Sequence, residues 1–359
     1  MKKYLLTTAA LSLFAGAAAA GGIDRSGQGI GVIFEDTGAT GSYAQISLGS
    51  VDPEANRAGG GQTDPLSQYN QGTIAVKKQL SDDLSLSFII DQPFGVDVAY
   101  VDDPAGTPPF LTFAGGLATI DSTAYTAILR YELDENFSVH GGIRGQEVSG
   151  NIVSAGVLSA SSGLDYGYLI GAAYERPDIA LRVALTYNSA ITSEFTGLET
   201  DLGTFVTSAT AFEVEFPASI NLDFQSGIAA DTLLFGSIRY VEWDGFNLTT
   251  PGVGEYVRLN GDTTTYSLGV GRRINEQLSL AASLGYEAEG EETTSPLAPT
   301  TGTTSITLSA SYSVDEATTL SGGVTFAKLG DQTLAGTGGL VTWDDNSAVG
   351  FGFRLGHKF

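Results

Sequence analysis

Apolar and polar residues alternate with a period of two over most of the chain. Near the carboxyl end Val349, Phe351, Phe353, Leu355 and Phe359 stand apart from Gly350, Gly352, Arg354, Gly356 and Lys358. That period places apolar side chains on one face of a strand and small or polar ones on the other. Tyr125, Ala127, Leu129, Tyr131 and Leu133 form a second such row. Ile179, Leu181, Val183, Leu185 and Tyr187 form a third, and Ile306, Leu308, Ala310, Tyr312 and Val314 a fourth. Short turn-like clusters end the runs at 81–83, 134–136, 176–178, 229–231, 275–277 and 315–317. Longer Gly/Pro/Thr-rich connections alternate with them, near 52–70, 102–120, 150–163, 189–210, 247–262, 287–303 and 328–346. Two strands per long connection predict an all-β fold, a transmembrane antiparallel β-barrel of about 14 strands. Its oily face meets lipid, its polar face lines a lumen, and both termini lie on the short-turn side. A soluble sandwich also alternates, but rows bounded by aromatics and a chain ending inside a strand favour the membrane barrel.

The two ends divide the chain. Lys2 and Lys3 precede a short apolar stretch, Tyr4 to Phe14, and small residues up to Ala20. This is the pattern of a cleaved secretory signal, so residues 1–20 are set apart from the fold. No later stretch reaches the ~18 apolar residues a membrane helix needs. Residues 21–40 are Gly-rich, lack sustained alternation and hold Asp24, Arg25, Glu35 and Asp36. They are expected to fold back into the lumen as a hatch, leaving 41–359 for the barrel.

Composition narrows the function. A net charge of −24 excludes a nucleic-acid binder. The absence of cysteine removes disulfides, thiolate metal sites and thiol nucleophiles. Past the signal the only histidines are His140 and His357, and neither sits in a nucleophile motif, so no enzyme is expected. No metal-ligand spacing and no cofactor motif is present.

Charged residues fall opposite the lipid-facing rows: Arg130, His140, Arg144, Arg182, Arg239 and Arg273, with Glu132, Glu175, Glu213 and Glu215. Such a lumen can pair its charges and stay wet. The third strand is interrupted by Asp91-Gln92-Pro93-Phe94-Gly95. Proline cannot donate to a ladder, so Pro93, Phe94 and Gly95 predict a kink and a local gap, a lateral opening in the wall. Two long connections are apolar. One holds Phe110, Leu111 and Phe113, the other Phe195, Leu198, Leu202, Phe205 and Val206, and both suit capture of a greasy ligand.

With these residues the chain resembles the FadL-type long-chain fatty acid transporters of Gram-negative outer membranes. The stretch FPASINLDFQSGIAADTLLFGSIRYVEWDGFN (216–247), the DQPFG kink (91–95) and the late strand pair 295–331 carry the likeness. The resemblance implies a fourteen-stranded barrel in the bacterial outer membrane, an N-terminal hatch and passive uptake of long-chain fatty acids or other hydrophobic molecules. The path it implies runs from outer loops to an internal pocket and out at the kinked strand. Phe34 is then a candidate pocket wall, and Arg144, Arg182 and Arg239 are candidate partners for a carboxylate. Outer-membrane lipid and lipopolysaccharide are the surroundings, and the strand ending at Phe359 is the expected signal to the barrel-assembly machinery. A general diffusion porin for small polar solutes is the alternative.

Overall fold

The computed structural model describes residues 23–58, 64–100, 116–259, 261–290, 298–336 and 339–359. The signal stretch 1–20 and the loop residues Phe110, Leu111 and Phe113 lie outside the described residues. Among the described residues, fourteen antiparallel strands close into one ring. The first four are Ser42–Arg57, Tyr69–Gln79, Leu84–Asp91 with Gly95–Ala99, and Leu117–Glu132. The fifth to eighth are Phe137–Val153, Gly156–Ser162 with Asp165–Arg176, Leu181–Asn188 with Ile191–Asp201, and Val206–Phe216 with Ser219–Ala229. The ninth to eleventh are Thr232–Val241, Thr263–Arg273 and Leu278–Glu287. The last three are Thr301–Ser313, Thr318–Gly330 with Gln332–Gly336, and Gly339–Lys358. The fourteenth strand pairs with the first from Tyr43↔Lys358 to Arg57↔Trp343. That seam closes the ring, which lets strands stand in lipid with their ladder groups paired.

Three of the short turns share one device. Asp134 Oδ1 accepts from the amides of Asn136 (2.8 Å) and Phe137 (2.9 Å). Asn275 Oδ1 does the same for Gln277 (2.9 Å) and Leu278 (2.8 Å), and Asp315 Oδ1 for Ala317 (2.8 Å) and Thr318 (2.7 Å). A short side chain that closes its own turn explains why Asp or Asn opens these clusters. The two amides also hold the Asp315 carboxyl below the usual carboxylate range.

In the lower barrel the alternation runs as the sequence predicts. Tyr125, Leu129 and Tyr131 are exposed to the surroundings, while Thr126, Ile128 and Arg130 are buried inward. Arg130 pairs with Glu132 (3.0 Å) and with Glu175, and His140 Nε2 meets Thr186 Oγ1 at 2.9 Å. Higher up, the structure corrects the sequence reading. The stretches 150–163 and 189–210 are mostly strand, not loop, and extend strands five to eight into a crown. At 163–164, 189–190 and 217–218 two residues leave the ladder, and the inward positions change from odd to even or the reverse. A slip of this kind turns every following side chain over. Glu213 and Glu215 therefore point outward, while Val214 and Phe216 are buried inside. Arg273 is no lumen residue either; it pairs with Asp231 at a turn.

Candidate functional site

Around Pro93 the third strand parts from the second. Its pairing to the second strand stops at Ile74↔Ile90. It resumes at the Leu66↔Val98 bridge, where Ser67 N donates to Asp97 O (3.1 Å) and Ala99 N to Pro65 O (2.8 Å). Between these points the two strands share no backbone ladder over about 26 Å, at ~3.3 Å per residue. On the other side the fourth strand follows throughout, with one residue of bulge between Asp91↔Ala124 and Gly95↔Asp121. The wall is thus split on one side of the kink only.

Residues 23–36 sit inside the ring and occupy this split. Arg25 N donates to Pro93 O (2.7 Å), Gly95 N donates to Ile23 O (2.8 Å), and Asp24 bridges to Phe94. Ser26 Oγ donates to Asp91 Oδ2 at 2.6 Å. The same segment reaches the far wall. Asp24 pairs with Arg239 of the ninth strand at 2.6 Å, six strands away in the ring and nearly opposite. Arg239 is itself fixed by Asn221 Oδ1 (2.7 Å) and Ser219 Oγ (3.0 Å). Asn221 Nδ2 donates to Gly27 O and Ser219 Oγ to Gln28 Oε1, each at 3.0 Å. The positive φ of Gly27 (62°) and Gln28 (53°) makes the tight turn these contacts need. The segment is a crossbar from the split to the opposite wall. Farther along, Ile30, Val32 and Ile33 pack on Tyr43, Ala75, Ile89, Ile128 and Leu169. Burial pushes the Glu35 carboxyl up, while Arg354, Arg182, Lys358 and Lys77 pull it back.

Two spaces flank the crossbar, and they differ in kind. Ile23 faces an apolar chamber inside the crown, lined by Ile120, Val148, Ile152, Leu158, Phe195, Phe212, Val214, Phe216, Phe246 and Leu248. Side chains leave it about 30 Å3 of open space. Phe94 reaches into this cluster from the kink, stacked on Phe216 at 5.0 Å and edge-on to Trp243 at 5.8 Å. The buried Trp243 Nε1–H has no hydrogen-bond partner. Most of Asp24 to Phe34 face instead a larger cavity of about 270 Å3 that carries charge, lined by Gln45, Gln71, Gln92, Arg182, Asn221, Asp223, Arg239 and Arg354 together with Leu48, Ile89, Phe224, Phe235, Ile238 and Phe353.

The predicted site residues divide between these places. Phe94 belongs to the chamber cluster, and Pro93 and Gly95 hold the crossbar. Arg182, Arg239 and Phe34 line the charged cavity, with Arg182 4.5 Å and Arg130 4.9 Å above the Phe34 ring. Arg144 lines neither space; it is buried and donates to Thr126 Oγ1 (2.9 Å) and Asn188 Oδ1 (3.4 Å). Phe195 is a chamber wall, whereas Leu198, Phe205 and Val206 are exposed near the tip of the hairpin. The sequence reading missed Phe212, Phe216, Trp243 and Phe246. The parity change at 217–218 hid the first two, and the other two follow the ninth strand.

A family model described as outer membrane protein transport protein (OMPP1/FadL/TodX) matches residues 9–359. No curated protein sequence matches the chain. Among solved structures, a FadL homologue of Pseudomonas aeruginosa is similar with a TM-score of 0.75 at 15% identity, covering 92% of each chain. The Pseudomonas putida toluene transporter TodX is similar with a TM-score of 0.66 at 14% identity, covering 96% of this chain and 98% of that one. The Ralstonia pickettii toluene transporter TbuX gives 0.65 at 13% identity, covering 98% and 97%. At such identities the structural likeness shows the fold alone.

Proposed function

Because the chain belongs to the outer membrane transport protein family OMPP1/FadL/TodX, we propose that it carries hydrophobic small molecules passively from the crown chamber to the split beside the third strand. The observation that carries this reading is the chamber itself. It is walled by apolar and aromatic side chains and has the kink residue Phe94 in its cluster. A hydrophobic solute gains ~25 cal/mol for each Å2 of its surface buried there. Displacing Phe94 from Phe216 and Trp243 loosens the kink at the same time, which couples occupancy of the chamber to the split.

The chamber favours a neutral, apolar solute, which enters by displacing side chains such as Phe94, because the charged groups stand on the other side of the crossbar. Long-chain fatty acids are the second reading. Arg182 and Arg239 in the charged cavity supply the cations a carboxylate needs. The test is reconstitution of the full chain in vesicles whose outer leaflet is lipopolysaccharide, which slows direct entry of apolar solutes, following uptake of toluene, oleate and sucrose. We expect toluene uptake several-fold above protein-free vesicles, with no sucrose uptake and negligible steady conductance. Oleate outpacing toluene selects the fatty acid reading. Sucrose uptake with a large steady conductance overturns both in favour of a diffusion porin.

A further inference from the structure

The second and third strands are bridged across the split by side chains, while the backbone of Ile23 to Arg25 pairs with the third strand alone. Gln92 and Gly72 stand opposite each other in the register that the second and third strands keep on both sides of the gap. Their backbones do not pair. Instead Gln92 Oε1 accepts from Gly72 N at 2.9 Å, so a side chain replaces the missing ladder bond. Beside it the Arg25 guanidinium spans the two strands. Its Cζ lies 4.1 Å from the centre of the Tyr69 ring on the second strand. On the third strand it rests on Gly95, where an added Cβ would come within 2.4 Å of Cζ. Glycine at 95 thus makes the seat for the guanidinium.

We propose that Arg25 and Gln92 form the shutter of the side opening, and that passage requires them to turn aside, Arg25 together with the segment 23–26 that carries it, without the second and third strands pairing anew. Gln92 is half-buried and Arg25 is buried, and turning these two side chains is still a smaller rearrangement than re-pairing a strand. The resting contacts are a cation–π stack and one neutral hydrogen bond, and the Asp121 and Asp97 carboxylates add their attraction for the guanidinium. The stack also bears on which solutes pass. An aromatic solute can take the place of the Tyr69 ring against the guanidinium, whereas an aliphatic one cannot. Arg25 is in this sense a specificity-determining residue for exit. The inference rests on the lateral path proposed above.

The test uses the full chain in the same lipopolysaccharide-faced vesicles, with toluene and cyclohexane as probes. Arg25→Ala with Gln92→Ala removes both leaves of the shutter. Gly95→Ala keeps the charge but pushes the guanidinium off its seat. Arg176→Ala, in an exposed turn, is the control. A second variant, Gly72→Cys with Gln92→Cys, is bridged by a short bifunctional thiol reagent, which is specific because the native chain has no cysteine. Heat-dependent gel mobility verifies that each barrel is folded. We expect the double alanine variant to speed uptake roughly three- to thirty-fold and to erase any preference for toluene over cyclohexane. Gly95→Ala should give part of that change, and the bridged variant should fall to the level of protein-free vesicles. If bridging stops uptake while the alanine variants keep the native rate and preference, the lateral path stands and the shutter is wrong. If bridging leaves uptake intact, the lateral path itself fails and the shutter with it.

Discussion

The membrane belt and the crown are built from the same strands with opposite polarity. On the fifth strand Phe137, Val139 and Ile143 face outward below, and Glu147, Ser149 and Asn151 face outward above. Inward, Ser138, His140 and Arg144 give way to Val148 and Ile152. The fifth strand makes this exchange by composition alone, keeping one parity. The sixth, seventh and eighth make it by a slip of register. The difference teaches that alternation reports a strand with two unlike faces and does not say which face is wet. In the belt the solvent outside is hydrocarbon, so the oily row faces out. In the crown both sides of the ring would otherwise be aqueous, so the oily row turns in and creates a chamber.

The comparison breaks most sharply inside the crown. Phe216 is buried against Phe94 (5.0 Å) and Phe246 (5.9 Å), and no lipid is available to fill its place. Phe216→Ala should cost about 3–5 kcal/mol of local stability through lost burial and the cavity left behind. Limited proteolysis of the crown should rise while the belt keeps its heat-dependent gel mobility. Loss of that mobility would show that crown and belt fold as one unit and that the contrast drawn here is only geometric. In the belt the sensitive face is the outer one. Leu129 is 48% exposed on the outside of the fourth strand. Leu129→Arg should cost about 2–4 kcal/mol if the residue lies near the bilayer midplane, read from the denaturant midpoint in lipid vesicles. An unchanged midpoint would place Leu129 in water and move the belt elsewhere.

Much of this architecture was legible in the chain. The row ending at Phe359 predicts the closing strand, and the Asp and Asn clusters predict the turns, because both depend on neighbours two or three residues apart. Pro93 and Gly95 mark the kink through backbone chemistry that no context can undo. The crown was not legible, since Ser189-Ala190 and Pro217-Ala218 interrupt the period and make flanking strands resemble loops. Glu213 and Glu215 were assigned to the lumen for the same reason. The crossbar was hidden differently. Nothing local relates Asp24 to Arg239 or Arg25 to Tyr69; only closure of the ring brings them together. Arg182 and Arg239 were singled out as inward cations, and what they face depends on where the crossbar lies.

The smallest effect belongs to the outer face of the crown, and it separates the two regions by sign. Glu194 and Glu213 stand directly opposite on the seventh and eighth strands, and both are exposed. Like charges facing each other across a ladder are destabilising. Glu213→Lys replaces the repulsion with a cross-strand ion pair and should stabilise the crown by about 0.2–1 kcal/mol. The gain should shrink as salt rises, because an exposed pair is screened over a Debye length of about 10 Å at 0.1 M. The same residue type placed outward in the belt carries a penalty that salt cannot screen, since hydrocarbon holds no ions. A denaturant series on Glu213→Lys at low and high salt therefore assigns this face to water or to lipid. Destabilisation that persists at high salt would put the eighth strand's upper half in the membrane and reverse the placing of the chamber above it.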